Sequence, residues 1–301
     1  RVERTAAILG RMRVAFLGFG LIGGSIARAL RAREPGRWSV AAWTPSGRGP
    51  SAGADVGAVD LVAGSPQMAV EGADLVILAA PAPACVAILD DLAGPLRGVL
   101  RDDAVITDVA SSKAAIVLRA TALGLRFVGG HPMAGRETSG FEASDPELLT
   151  DRPWVIVPTV DEEAVRRVED LARATGARPT RLAAEAHDAA VAAISHLPLL
   201  VAVSLVEAVA IGTDDTPRDD WPVLASLVAG GWRDMTRLAR GDVAMGTGIV
   251  TTNAEPIAPR VRALIAVLEE WLAELERPGG PDADVVAGRL AAAKERLGVA
   301  T

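Results

Sequence analysis

The chain has 301 residues, half of them hydrophobic and 23% charged, with a formal net charge of −7 and an isoelectric point near 5.2. Such a composition describes a globular chain of about two domains and excludes a disordered one, and the acidic balance without any basic block argues against nucleic acid as a partner. The single cysteine, Cys85, excludes an internal disulfide and fits a reducing compartment, the cytoplasm, and no basic-then-apolar leader opens the sequence.

Residues 1–12 read as a loosely held lead-in. Residues 14–17 form a short apolar run typical of a buried parallel strand. It breaks into Gly18-Phe19-Gly20-Leu21-Ile22-Gly23, after which Ile22, Ile26, Ala29 and Leu30 recur at helical spacing. A G-x-G-x-x-G between a strand and a helix predicts a dinucleotide site. Gly18 permits the tight turn, Gly20 lets the backbone approach a pyrophosphate, and Gly23 lets helix and strand pack closely, with free N–H groups at the helix start facing the anion.

Residues 38–43 read as the second strand. An acidic residue at its end would bind a ribose 2′-hydroxyl, but Thr44 stands there, followed by Ser46 and Arg48. Hydroxyls and one arginine suit a 2′-phosphate, hence NADP⁺ in preference to NAD⁺; a plain polar turn is the alternative. Residues 53–72 give a further α/β unit. Strands at 75–78, 104–107 and 125–130 end respectively in Ala79-Ala80-Pro81, in DVASSK (108–113) and in GGHPMAG (129–135). The β-then-α rhythm predicts a doubly wound parallel sheet, in which ligands sit beyond the carboxyl ends of the strands. Ala80, Pro81, Ser111 and His131 therefore face the same crevice as the glycine loop.

Residues 154–157 and 178–182 read as closing strands around a helix at 161–175. Beyond about residue 183 strand signals stop. Residues 185–210 are helical in pattern, interrupted near Pro198, and 219–240 are helical in part. At 257–276, Val261, Leu264, Ile265, Leu268, Leu272 and Leu275 share one helical face. A breaker at 277–281 precedes a last helix at 282–297. The expected division is 1–182 and 183–301. The apolar run at 189–211 imitates a membrane span, but Ser195, His196, Pro198 and Glu207 interrupt it, which suits a buried or subunit-interface helix.

The chemistry-bearing residues are few. There are three histidines, His131, His187 and His196, and no tyrosine. No spacing offers a metal site, and no G-x-S-x-G elbow is present. Beside a nicotinamide, His131 suits proton transfer during an alcohol oxidation; a structural strand-end histidine is the alternative. His196, in an apolar helix, reads as a buried core histidine. Arg233 and Arg237, four apart after a glycine pair, share one helix face and form either a carboxylate clamp or a solvated face.

The motifs GFGLIGGS, DVASSK, GGHPMAG, SHLP (195–198) and GGWRDMTR (230–237), in this order, resemble the prephenate dehydrogenase family over about residues 13–255. The resemblance implies a Rossmann domain followed by an all-helical, homodimer-forming domain, with the substrate at their junction. It also implies NAD(P)-dependent oxidative decarboxylation of prephenate to 4-hydroxyphenylpyruvate, on the route to tyrosine. By the same resemblance His131 accepts the proton of the ring hydroxyl, Ser111 bonds near that hydroxyl, His196 lines the site and Arg237 binds a substrate carboxylate. Arg136, following HPMAG, disfavours the ammonium of arogenate, the transaminated relative, whose oxidation is the alternative activity. Leu199 replaces a second histidine found after SHLP in many relatives, and a tryptophan common near Gly246 is absent. With the sequence ending at Thr301, tyrosine inhibition through an appended regulatory domain is not expected. A 3-hydroxyacid dehydrogenase, which commonly uses a lysine on the helical side, finds only Lys294 there. A non-catalytic nucleotide sensor is the remaining alternative.

Overall fold

The structure is a computed structural model that describes residues 11–212 and 220–298. Most of the lead-in, the sequence start, residue 219 of the expected 219–240 segment and the end at Thr301 lie outside the described residues. Met12 already belongs to the first strand.

Strand β1 (Met12–Leu17) runs through the middle of a six-stranded parallel sheet. It pairs with β2 (Trp38–Trp43) on one side and β4 (Leu75–Leu78) on the other. With β3 (Leu61–Val62), β5 (Val105–Asp108) and β6 (Phe127–Val128), the spatial order is β3-β2-β1-β4-β5-β6. Val14 and Phe16 enter one core with Ile26, Leu30, Trp38 and Trp154; Ala15 and Leu17 enter another with Val76, Leu78, Leu89 and Ile116. Burial on both faces is what a parallel sheet between helices requires, and it explains why these strands read as unbroken apolar runs. Helix α1 (Leu21–Arg33) follows β1, then α2 (Arg48–Asp55), α3 (Pro66–Val70), α4 (Ala82–Ala93) and α5 (Ala114–Ala122). The order reverses between β1 and β4, so a crevice opens at their carboxyl ends.

The closing strands depart from expectation. Only Phe127 and Val128 of the 125–130 run join the parallel sheet. The chain then enters a second, three-stranded sheet of β7 (Gly130–Pro132), β8 (Pro153–Ile156) and β9 (Arg178–Arg181), with β7 antiparallel to β8. His131 thus lies within a strand, opposite Val155, rather than after a strand end. The departure happens at Gly130, whose N–H donates to the Asp108 carboxylate at 3.0 Å. A Cβ at Gly130 would lie 2.7 Å from the Asp108 carbonyl oxygen, 3.0 Å from Trp154 Nε1 and 3.1 Å from Thr107 Oγ1. No side chain fits. Helix α6 (Glu162–Ala174) connects β8 to β9.

Pro198 does not interrupt the next segment. Residues 184–211 run continuously as α7 (Ala184–Val191), a π turn (Ala192–His196), α8 (Leu197–Val206) and a second π turn (Glu207–Ile211). The wider turn shifts the hydrogen-bond register, so the proline, which has no N–H to give, falls in the first turn of α8. By length and composition this segment is long and apolar enough to cross a membrane. Shorter pieces follow: α9 (Trp221–Ser226), α10 (Gly230–Met235), a 3₁₀ turn (Arg237–Arg240) and α11 (Val243–Thr252). The chain divides by its internal packing into two units, Arg1–Ala254 and Glu255–Thr301. The second unit carries α12 (Ala254–Leu275) and α13 (Ala283–Gly298). On α12, Ile265, Leu268, Leu272 and Leu275 of the expected apolar face are exposed.

At Gly18, φ is +96° and an added Cβ would sit 2.3 Å from the Ala79 carbonyl oxygen. Gly18→Ala should therefore destabilise the protein by roughly 2–4 kcal/mol, through left-handed strain plus a backbone clash. Urea unfolding checks this; an unchanged midpoint would mean that the β1–α1 turn tolerates a side chain.

Candidate active site

The glycine loop fits a dinucleotide. Helix α1 starts with no side-chain cap and no acidic residue in its first turn, leaving its N–H groups and positive end to an outside anion. A Cβ on Gly20 would point into open space, with no atom within 4 Å, whereas one on Gly23 would lie 3.2 Å from Ala79 Cβ. One glycine thus keeps the approach clear and the other lets α1 seat against the loop that continues through Ala80 and Pro81. Phe19 is only 3% exposed, its ring stacked on Phe141 at 5.5 Å and edge-on to Phe16 at 5.4 Å. Its side chain serves the core, and only its backbone is left for a cofactor; Leu21 and Ile22 are half-buried. Thr44 and Ser46 accept backbone N–H bonds from Gly47 and Arg48, at 3.1 and 3.4 Å. Arg48 is exposed at the start of α2.

All three histidines meet in one network. His131 Nδ1 lies 2.8 Å from His187 Nε2, and His187 Nδ1 lies 2.8 Å from Asp188 Oδ1. Asp188 also accepts the backbone N–H groups of Lys113 at 2.7 Å and Ala114 at 2.8 Å, so its carboxylate closes the N-terminus of α5. Burial pushes the Asp188 carboxyl upward, but the His187 hydrogen bond and the two amides more than offset it, and it ends below the usual range. Because a carboxylate only accepts, His187 Nδ1 carries the proton. His187 Nε2 then accepts from His131 Nδ1–H, and His131 Nε2 is left with a lone pair. Desolvation, with His187, Lys113 and His196 nearby, holds His131 well below the ordinary histidine range. The ring is neutral at pH 7.

On the other side, Asn253 Nδ2 lies 3.0 Å from the Asp188 carbonyl oxygen and 2.9 Å from His196 Nδ1. His196 is fully buried, and its Nε2 has no partner among the described residues. Burial draws its pKa down to about 4. Beneath the network, the fully buried Lys113 ammonium pairs with Asp108, which also accepts Ala110 N–H and Gly130 N–H at 3.0 Å each. The loop after β5 and the strand carrying His131 are thereby tied to one carboxylate. Half-buried Ser111 sits in that loop, and its neighbour Ser112 hydrogen-bonds Thr252 of α11 at 2.6 Å.

The arginine pair is arranged differently from the expected single helix face. Thr236 Oγ1 donates to the Trp232 carbonyl at 2.8 Å, competing with helix continuation; α10 ends at Met235 and Arg237 opens a 3₁₀ turn. Arg237 pairs with Glu137, which brings it to the segment following His131. Arg233 is exposed in α10. Arg136 pairs with Asp145 at 2.6 Å and is half-exposed. Asp108, Lys113, His187, Asp188 and Asn253 went unassigned in the sequence reading. Only Asp108 and Lys113 had a signal there, as the two ends of DVASSK, because the others reach the site through pairings across 56 to 75 positions.

Residues 26–180 match the family model described as prephenate dehydrogenase, nucleotide-binding domain, and residues 183–282 match prephenate dehydrogenase, dimerization domain. The chain belongs to the prephenate dehydrogenase family. It is 32% identical over 269 residues to a prephenate dehydrogenase of Bacillus subtilis, covering 88% of this chain and 68% of that one. It superposes with a TM-score of 0.82 and 26% identity on the Aquifex aeolicus prephenate dehydrogenase bound to hydroxyphenyl propionate and NAD⁺, covering 97% and 99% of the two chains. Synechocystis arogenate dehydrogenase matches with a TM-score of 0.73 and 26% identity, over 95% and 100%. As a member of this family the chain is an NAD(P)-binding oxidoreductase: a Rossmann sheet followed by helices.

Burying neutral histidines has a pH signature. An unfolded histidine takes up a proton near pH 6.5, whereas His196 in the fold does so only at about 4. The unfolded state therefore binds more protons between these values, and stability falls as pH drops through that window; protonation of Asp188 adds to the loss at lower pH. Urea midpoints should decline steadily from pH 7 to pH 4.5, and a flat profile would contradict neutral, buried rings.

Proposed function

We propose that the chain oxidatively decarboxylates prephenate to 4-hydroxyphenylpyruvate with His131 as proton acceptor. The Asp188–His187–His131 hydrogen-bond chain carries this reading, because it leaves Nε2 as an acceptor on the neutral ring of half-buried His131. When bound, the nicotinamide supplies the acceptor for the hydride from ring carbon C4. The chain's residues then deal with the proton and the charges. As hydride departs, the C4 hydroxyl proton becomes strongly acidic, so even a weak base takes it. The proton on His131 Nε2 is stabilised because Nδ1–H strengthens its bond to His187, which leans on the Asp188 carboxylate. Loss of the ring carboxylate as CO₂ leaves an aromatic product, which makes the sequence irreversible. Ser111, in the loop that Asp108 ties to β7, is assigned to the same hydroxyl.

Prephenate is a dicarboxylate, and the segment after His131 gathers cations. Arg237 binds one substrate carboxylate in exchange for Glu137, while Arg136, and more distantly Arg233, add positive potential. That potential favours the keto acid over the ammonium of arogenate. The likeness to an arogenate dehydrogenase keeps the amino substrate as the second reading. With Thr44, Ser46 and Arg48 at the end of β2 and no carboxylate among them, NADP⁺ is assigned in preference to NAD⁺. A functional boundary at 182/183 separates cofactor and helical domains. A second copy of the chain covers the helical part, where Ile194, Leu227 and Val243 are 69%, 74% and 82% exposed, giving a cytoplasmic homodimer.

Absorbance at 340 nm, with prephenate and arogenate each crossed against NAD⁺ and NADP⁺, tests the reading. Fastest turnover is expected with prephenate and NADP⁺; higher kcat/KM with arogenate would overturn the substrate assignment, and no turnover in any pair would favour a sensor. His131→Asn should lower kcat by about 10²- to 10⁴-fold and leave dinucleotide affinity nearly intact, since a general base acts in the transition state. Near-normal turnover in that variant would remove the role.

A further inference from the structure

The side chain of Asn253 is 1% exposed and belongs to no motif of the sequence. Its environment fixes which way its amide faces. One neighbour is the Asp188 main-chain carbonyl, at 3.0 Å. A carbonyl oxygen only accepts, so the NH₂ end of the amide must point to it. The same nitrogen lies 2.9 Å from His196 Nδ1. Its second hydrogen is therefore directed at that ring atom, which must be unprotonated to receive it.

We infer that Asn253 is a positioning residue that locks His196 in the Nε2–H tautomer and so makes it a permanent neutral donor to an oxygen of the bound substrate. Two observations support the donor's purpose. His196 Nε2 is fully buried without a hydrogen-bond partner among the described residues, and a buried N–H left without an acceptor is costly. Asn253 also bonds the main chain of Asp188, whose carboxylate ends the hydrogen-bond chain to His131, so His196 is joined to the proton-transfer network. The π turn that ends at His196 turns this residue inward from a largely apolar segment.

The lock also opposes the cation at neutral pH. A second proton on His196 would have to go to Nδ1, against the N–H of Asn253. Burial and His187 oppose charging; Asp188 favours it. Asn253→Asp reverses the geometry: its carboxylate accepts at the same place and calls for Nδ1–H. The two networks are thus set by opposite devices. A carboxylate on Nδ1 makes His187 an acceptor at Nε2, and an amide N–H on Nδ1 makes His196 a donor there.

This inference rests on the proposed reaction only for the identity of the acceptor. Long-range ¹⁵N–¹H NMR on the free protein reads the tautomer without any substrate, and with three histidines in the chain the signals are assigned by single substitutions. His196 should be protonated at Nε2 alone from pH 6 to 8, and a proton on Nδ1 would overturn the lock. Asn253→Asp should move that proton to Nδ1. It should also raise KM for the substrate that is turned over by about 10-fold, with dinucleotide KM unchanged. Should that variant not fold, His196→Gln and His196→Asn decide. The glutamine amide reaches the Nε2 position and should retain substrate KM within about 3-fold, whereas the shorter asparagine should not. Equal losses in both would overturn the donor role. No turnover of prephenate with an Nε2–H signal intact would count against the proposed substrate and leave the lock standing.

Discussion

The Asp188 carboxylate is the constraint on which the site depends. It is 2% exposed, and removing a charge from water is expensive unless hydrogen bonds replace the lost hydration. Three donors do so: two backbone amides at the start of α5 and the His187 imidazole. Each has a separate consequence. The amides fasten the long helical segment to the Rossmann sheet, and the imidazole fixes a tautomer that propagates to His131. Anchoring and chemistry cannot be separated here, since one group at one place does both.

A second buried charge repeats the logic one layer down. Asp108 ends a central strand, neutralises Lys113, and receives the N–H of Gly130 as the chain leaves the parallel sheet. The Lys113 ammonium, held by Asp108, disfavours a proton on His131. Two carboxylates, each held by backbone amides, thus define where the base sits and in what state it waits.

Much of this was legible in the sequence, for local reasons. Glycines 18, 20 and 23 stand between a strand and a helix, a spacing visible in a few consecutive residues even though the close approach at Gly18 and Gly23 is to Ala79. The parallel strands announced themselves because both faces are buried. What stayed hidden depends on distance. Nothing local distinguishes a glycine pair that ends a strand from one that moves the chain to another sheet, so 125–130 reads as one parallel strand and 154–157 and 178–182 read as strands closing the same sheet. Pro198 looked like a break because a π turn, which absorbs it, has no simple residue signature. Arg233 and Arg237 have helical spacing, yet the helix ends at Met235, between them. His187 and Asp188 sit on α7 and Asn253 at the bend between α11 and α12, and only the tertiary fold shows them facing inward.

Gly130 has a consequence for ancestry. Its missing side chain is dictated by the Asp108 carbonyl, the Trp154 indole and the Thr107 hydroxyl crowded around it, none of which concerns hydride or proton transfer. A descendant that lost His131 and its activity would still have to keep this glycine in order to fold. Within the GGHPMAG signature, then, Gly130 records architecture and the histidine records chemistry. Only the second would be free to drift in a lineage that had abandoned the reaction.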